Sequence, residues 1–126
     1  MSGKVDLHIH THYSDGFYSP VDIVSKAKER GLDTISITDH DNLAGIMEAS
    51  DAGRNIGVEV IPGLEISTDV NDKEIHILAY FFEPDNKELE RYLVFFREER
   101  LKRAIRIVDK LNSLGLSISI DDVLES

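Results

Sequence analysis

The stretch Val5-Asp6-Leu7-His8-Ile9-His10-Thr11-His12-Tyr13-Ser14-Asp15-Gly16 decides how the rest of the chain is read. From Lys4 to His10 the side chains alternate, with Val5, Leu7 and Ile9 on one side and Asp6, His8 and His10 on the other. A period of two belongs to a strand, so His8 and His10 are expected to project from one face. Two imidazoles placed this way can converge on one metal ion or on neighbouring ions, each offering a neutral ring nitrogen. Ser14-Asp15-Gly16 then reads as a tight turn, in which Gly16 permits the sharp backbone and Asp15 can be aimed back toward the strand end. A polar strand end with solvated histidines is the plainer reading of any one of these residues. The ordered set favours metal.

Working outward, Ser19 and Pro20 open a first helix, with Asp22 where the helix dipole favours a carboxylate. Val21, Val24, Ala27 and Lys28 share a face, and Gly31 is the expected stop. Residues 33–38 are short and β-branched, hence a strand that delivers Asp39 and His40 at its C-terminal end. Asp41 or Asn42 then caps a helix whose inward stripe is expected to be Leu43, Ile46, Met47 and Ala49 or Ser50. A third strand starts at Val58 and is interrupted by Pro62-Gly63 before Leu64-Glu65-Ile66-Ser67. Gly63 beside an acid fits close backbone approach to a site, and equally a bend or bulge. A turn over 68–73 and a strand over 74–82 place Glu65 and His76 on adjacent strands.

Asp85 with Glu88 resembles a capping box at the start of the longest helix, which runs to Leu114 and stops at Gly115. Its apolar stripe is Leu89, Tyr92, Leu93, Phe96, Leu101, Ala104, Ile105, Val108, Leu111 and Leu114, expected to pack against the domain. Ser119 and Asp122 open a last helix without a stop signal, so the chain is expected to end within it.

The alternation of strands and helices gives an α/β class, in which loops after successive parallel strands meet at one face. Imidazoles and carboxylates scattered along the sequence can thereby meet in space. Mixed imidazole and carboxylate donors suit zinc, manganese or iron without choosing among them. Taken singly, His40 also fits a capped loop residue, Glu65 an exposed strand acid and His76 an outward strand residue.

Composition bounds the reading. At 126 residues the chain holds one domain at most. A hydrophobic content of 41% with 30% charged residues fits a soluble globular protein. No apolar run is long enough for a membrane span and the N-terminus lacks the apolar core of a signal peptide, so cytoplasm is the expectation. With no cysteine, any metal must take nitrogen and oxygen ligands. A net charge of −10 argues against stable binding of duplex nucleic acid, although bound divalent cations would still attract a phosphate. Lys and Arg concentrate between Arg97 and Lys110 but alternate with acids, which fits a solvated helix face or an anion-binding strip.

The opening stretch resembles the first motif of the PHP family, the polymerase and histidinol phosphatase domains. Ile37-Thr38-Asp39-His40-Asp41, Pro62-Gly63-Leu64-Glu65 and Ile75-His76-Ile77-Leu78 match that family's second and third motifs in order. The resemblance implies the N-terminal portion of a distorted (β/α)7 TIM-like barrel, with catalytic βα units over 1–84 and a long helical insertion over 85–126. It implies up to three divalent transition metals. His8 and His10 would hold one, Glu65 would bridge it to a second that His76 also holds, and Asp15 and His40 would serve a third. Asp6 and Asp39 would orient ligand imidazoles, and His12 would stand nearby or toward substrate. The implied reaction is hydrolysis of a phosphate ester by metal-activated water, with no separate catalytic side chain.

Within the family, the long charged helix after His76 resembles small stand-alone members acting on nucleoside 3′,5′-bisphosphates or the 5′ ends of short oligonucleotides. A complete family member carries further histidine ligands downstream, whereas His76 is the last histidine here. The chain is therefore expected to be an incomplete half, weakly active or inactive alone, that pairs with itself or with a missing C-terminal half. A non-catalytic metal-binding or interaction module is the alternative.

Overall fold

The computed structural model describes residues 3–71 and 73–125. In chain order these form β1 (Val5–Ile9), α1 (Pro20–Glu29), β2 (Thr34–Ile37), α2 (Ala44–Ile56), β3 (Glu59–Val70), β4 (Lys73–Tyr80), α3 (Lys87–Ser113) and α4 (Ile120–Leu124). They fall into two compact units, Met1–Glu90 and Arg91–Ser126. Among the described residues no helix is long and apolar enough to cross a membrane.

The first unit is mixed α/β. Its sheet has the order β1-β2-β3-β4, with β1, β2 and β3 parallel and β4 antiparallel to β3. Helices α1 and α2 carry the crossovers, as parallel pairing requires. The core joins Ile23, Val24 and Ala27 of α1 to Ala49 of α2, Ile35 and Ile37 of β2, and Val58. On α1 the buried positions are Pro20, Ile23, Val24 and Ala27, a true i, i+3, i+4, i+7 stripe; Val21, expected on that face, is exposed. Gly31, at φ 70, follows the C-cap Arg30 and ends the helix as expected. Leu43, just before α2, and Ile46 and Ala49 within it face inward, but Met47 is 58% exposed and does not join them.

The start of α2 also differs from expectation. The N-cap is Leu43, without a side-chain cap bond; Asn42, one residue earlier, accepts from Ala44 N at 3.0 Å, and the other expected cap, Asp41, does not take that place. It adopts a left-handed backbone, φ 49, and its buried carboxylate accepts from Ser67 N at 2.9 Å. A bond to β3 outweighed a local cap.

Pro62-Gly63 does not interrupt β3. The strand continues for 12 residues and exchanges partners at that point: Pro62 pairs with Ile37 of β2, Gly63 with Tyr80 of β4. A Cβ on Gly63 would stand 2.1 Å from Ser36 Oγ and 2.8 Å from Ile37 O. The close approach is therefore to β2. Of the expected 68–73 turn, Asn71 takes the left-handed conformation at φ 53, and Asp72 lies outside the described residues.

The sheet curls. Tyr80 on β4 donates to Leu7 O on β1 at 2.7 Å, although these strands are opposite edges of the sheet. Three flat inter-strand spacings would be roughly 14 Å, well beyond a tyrosine side chain. One face is consequently concave, and it gathers the polar side chains of several strands. On β1 the apolar side is not sealed: Val5 and Leu7 are exposed and only Ile9 packs against the core.

Helix α3 is capped by Asn86, which accepts from Glu88 N and Leu89 N; the Asp85–Glu88 box expected there is not formed. Only Leu93 and Val108 are buried along it, so the predicted stripe is mostly unsealed, with Tyr92, Leu101, Ile105 and Leu114 exposed. The turn at Gly115, φ 94, ends the helix as expected. In α4 the Ser119–Asp122 capping box is made in both directions. That helix is described over Ile120–Leu124 with Glu125 as C-cap, and Ser126 lies outside the described residues.

Candidate metal centre

Glu65 sits inside β3, its side chain 6% exposed, and both carboxylate oxygens face imidazoles. Oε2 lies 2.9 Å from His8 Nε2 and 3.0 Å from His10 Nε2, with His40 Nε2 at 3.8 Å. Oε1 lies 2.9 Å from His76 Nδ1. His8 and His10 come from the C-terminal end of β1, His40 from just beyond β2 and His76 from β4. Backbone bonds lock two of these elements together: Asp41 N donates to Glu65 O and Glu65 N to Asp39 O. His40 is thereby held in an isolated parallel bridge to Glu65.

Asp15 is aimed back, as its turn predicts. Its carboxylate lies 3.2 Å from His10 Nδ1 and 3.6 Å from His40 Nε2. Gly16 makes that turn possible, since a Cβ there would stand 2.2 Å from His10 O. The rings form a row, with centroids 5.1 Å apart for His8 and His10, 4.8 Å for His10 and His40, and 4.7 Å for His40 and His76.

All six candidate residues are therefore brought together, in three overlapping groups: His8, His10 and Glu65; His10, Asp15 and His40; His40, Glu65 and His76. Neighbouring donors of a divalent ion held at about 2.0–2.1 Å stand roughly 2.9–3.4 Å apart in octahedral or tetrahedral geometry. The closest imidazole–carboxylate separations, 2.9–3.0 Å, are also those of direct hydrogen bonds, and within each group all donor atoms lie within 4.8 Å of one another. The donor set fits a divalent transition metal.

The remaining candidates lie around this centre. Asp39, buried, accepts from Thr11 N at 2.7 Å, Thr11 Oγ1 at 2.6 Å and Ser14 Oγ at 2.6 Å. It thus braces the loop that carries Asp15, and reaches His10 through Ser14 Oγ, 3.4 Å from Nδ1. Asp6 accepts from the His8 backbone N–H. His12 is exposed and packs edge-on against Tyr13.

Sequence reasoning missed Glu74, Tyr80, Thr11 and Ser14. Glu74 lies 3.1 Å from His76 Nε2. Glu74, His76 and Tyr80 share one face of β4, so strand alternation contained that signal. The Thr11 and Ser14 contacts depend on a residue from another strand.

Electrostatics follows the geometry. Burial pushes the Glu65 carboxyl up, but the His8 hydrogen bond and the charges of His40, His8 and His10 outweigh it, leaving the group below its ordinary value. The Glu74 hydrogen bond, with Glu65, raises His76 against the opposing effect of burial. Burial, then the charges of Glu65 and Asp6, raise Tyr80.

Residues 6–117 match the PHP domain. A 5′-3′ exoribonuclease of Haemophilus influenzae is 38% identical over 121 residues, covering 96% of this chain and 44% of that protein. A 3′,5′-nucleoside bisphosphate phosphatase of Chromobacterium violaceum is 30% identical over 121 residues, covering 96% of this chain and 42% of that protein. Among solved structures, an amidohydrolase from Chromobacterium violaceum, holding sulfate and no metal, superposes with TM-score 0.88 at 29% identity, over 98% of this chain and 43% of its own. A protein of Bifidobacterium adolescentis assigned as a metal-dependent phosphoesterase gives TM-score 0.86 at 36% identity, over 99% and 43%. The chain spans less than half the length of these relatives. The order of motifs along the sequence is the order of a known domain, and the chain belongs to the PHP domain family.

Proposed function

We propose that this chain supplies the metal-holding part of a phosphoesterase acting on phosphate esters of nucleotides or short oligonucleotides. Its strands would be the opening portion of a distorted (β/α)7 barrel. One observation carries the proposal: a buried carboxylate, Glu65, with imidazoles on both oxygens. Relatives named for a nucleoside bisphosphate and for 5′-3′ cleavage of RNA, and the sulfate in a structural relative, support a phosphate ester as the ligand.

Zinc, manganese or iron held by these imidazoles and carboxylates would supply Lewis acidity and would lower the pKa of water for attack on phosphorus. The chain's own residues position that chemistry. Glu65, held below its ordinary pKa, stays charged at neutral pH and offers one oxygen to the His8 and His10 side and the other to His76. Asp15 and His40 serve a third position, with His10 beside them. Asp39 keeps the Asp15 loop in register, and Glu74 orients His76. No side chain is required as a covalent nucleophile.

Because the matched relatives are more than twice as long, metal retention is assigned to this chain and full turnover to the longer architecture. Elemental analysis of the purified chain after dialysis against zinc, manganese or iron should find bound metal, with little release of phosphate from monoesters. Absence of bound metal with all three ions would overturn the proposal. Robust turnover, abolished by Glu65→Gln, would show that these six donors suffice.

A further inference from the structure

The loop between β1 and α1 carries His12, Tyr13, Phe17 and Tyr18, all exposed. Phe17, at 88%, is the most exposed large hydrophobic residue among those described. Slackness does not explain this exposure. Ser14 N and Gly16 N both donate to Thr11 O, His12 N donates to Tyr18 O, and Thr11 and Ser14 are tied to the buried Asp39. With Gly16 sterically required, the backbone is braced on both sides of Phe17. Tyr18 is braced too: Lys26 Nζ lies 4.4 Å over its ring, and Phe17 meets that ring edge-on at 5.3 Å.

An exposed aromatic ring on a braced loop offers a flat face to a planar ligand. Phe17 is two residues from Asp15, whose carboxylate reaches His10 and His40. Chain geometry keeps the two Cα atoms within about 7.6 Å, which sets the Phe17 backbone near the centre. The net charge of −10 leaves little general electrostatic attraction for such a ligand, so preference for a nucleotide over another phosphate ester must come from its base. Stacking provides such a preference without reading sequence, since every base has a π face.

We infer that Phe17, buttressed by Tyr18, is a stacking platform for the nucleobase of a nucleotide whose phosphate is held at the imidazole–carboxylate centre. This rests on the phosphate-ester function proposed above and adds a residue that selects nucleotides among phosphate esters. It differs from the metal-holding residues in that its loss should change ligand preference and leave the metal in place.

The chain has no tryptophan, so Phe17→Trp introduces a single fluorescent reporter at the platform. Zinc-loaded Phe17→Trp chain is titrated with adenosine 5′-monophosphate and with ribose 5-phosphate, and calorimetry is run in parallel on the native chain and on Phe17→Ala. The nucleotide should quench the indole saturably, while ribose 5-phosphate competes without quenching. The native chain should prefer the nucleotide by roughly tenfold, and Phe17→Ala should bring that ratio near unity with metal content unchanged. Retention of the preference in Phe17→Ala, or nucleotide binding without quenching, overturns the platform while leaving the phosphate site standing. Quenching by the nucleotide when ribose 5-phosphate neither binds nor competes supports the platform and removes the phosphate site. Binding of neither ligand removes both. An indole already shielded before ligand is added, in a concentration-dependent way, would mean that a second copy covers Phe17, and would also overturn the platform.

Discussion

Glu65 and His76 meet diagonally across the β3–β4 hairpin. In register Glu65 faces Leu78, and His76 faces Ser67, yet Glu65 Oε1 stands 2.9 Å from His76 Nδ1. Diagonal neighbours on one face are about 7–8 Å apart at the backbone, a gap that a glutamate and a histidine together can span. The offset leaves Oε2 free to turn toward β1, where His8 and His10 wait. One carboxylate can then serve two groups of donors.

Removal of the imidazoles on one oxygen should therefore cost the metal. The double change His8→Ala with His10→Ala should abolish metal retention by elemental analysis, with the fold retained by circular dichroism. Glu74→Ala, which deprives His76 of its outer partner, should weaken metal affinity by about 10–100-fold without abolishing it. Unchanged stoichiometry in the double variant would sink the assignment.

The metal-free chain should show a stability window in pH. Glu65 is lowered from its ordinary 4.5, so its contribution is complete above that value and lost as pH falls through the folded-state value. His76 is raised from its ordinary 6.5, so its contribution is complete below that value and lost as pH rises through the folded-state value. Both are present together between 4.5 and 6.5. Thermal melting of chelator-treated protein should peak within that window, and Glu65→Gln should flatten the acid limb. An acid limb identical in the variant would assign the acid sensitivity to other carboxylates.

Gly63→Ala should destabilise the first unit. The added Cβ would meet Ser36 Oγ at 2.1 Å and Ile37 O at 2.8 Å, so β2 and β3 must part or shift. Overpacking of this kind costs about 1–3 kcal/mol. Urea unfolding compared with Met47→Ala, a change at an exposed helix position expected within about 0.5 kcal/mol of the native chain, measures it. Equal midpoints for the two variants would show that the strands separate easily.

Asp39→Ala should act on stability and on the centre together. It strands the buried Thr11 and removes the brace on the loop bearing Asp15. A loss of about 3 kcal/mol is expected from bonds to a buried charged acceptor, and metal binding should weaken by about 10–100-fold. A melting temperature that falls with metal affinity unchanged would confine Asp39 to structure.

Local chemistry alone determined much of this protein. Alternation placed His8 and His10 on one face of β1, and the Ser14-Asp15-Gly16 turn aimed Asp15 back at them. Gly31 and Gly115 ended their helices, and Ser119 with Asp122 capped α4. Each depends on residues within one or two turns of chain, where steric rules and short-range hydrogen bonds decide. Only the tertiary structure decided that β3 runs through Pro62-Gly63 and changes partners, that Asp41 bonds to Ser67 instead of capping α2, and that Met47 faces solvent. The same holds for the two-sided use of Glu65 and the brace from Asp39 to Thr11 and Ser14. Those outcomes depend on register and sheet curl, which bring together groups tens of residues apart. A local pattern can make each group available but cannot choose its partner.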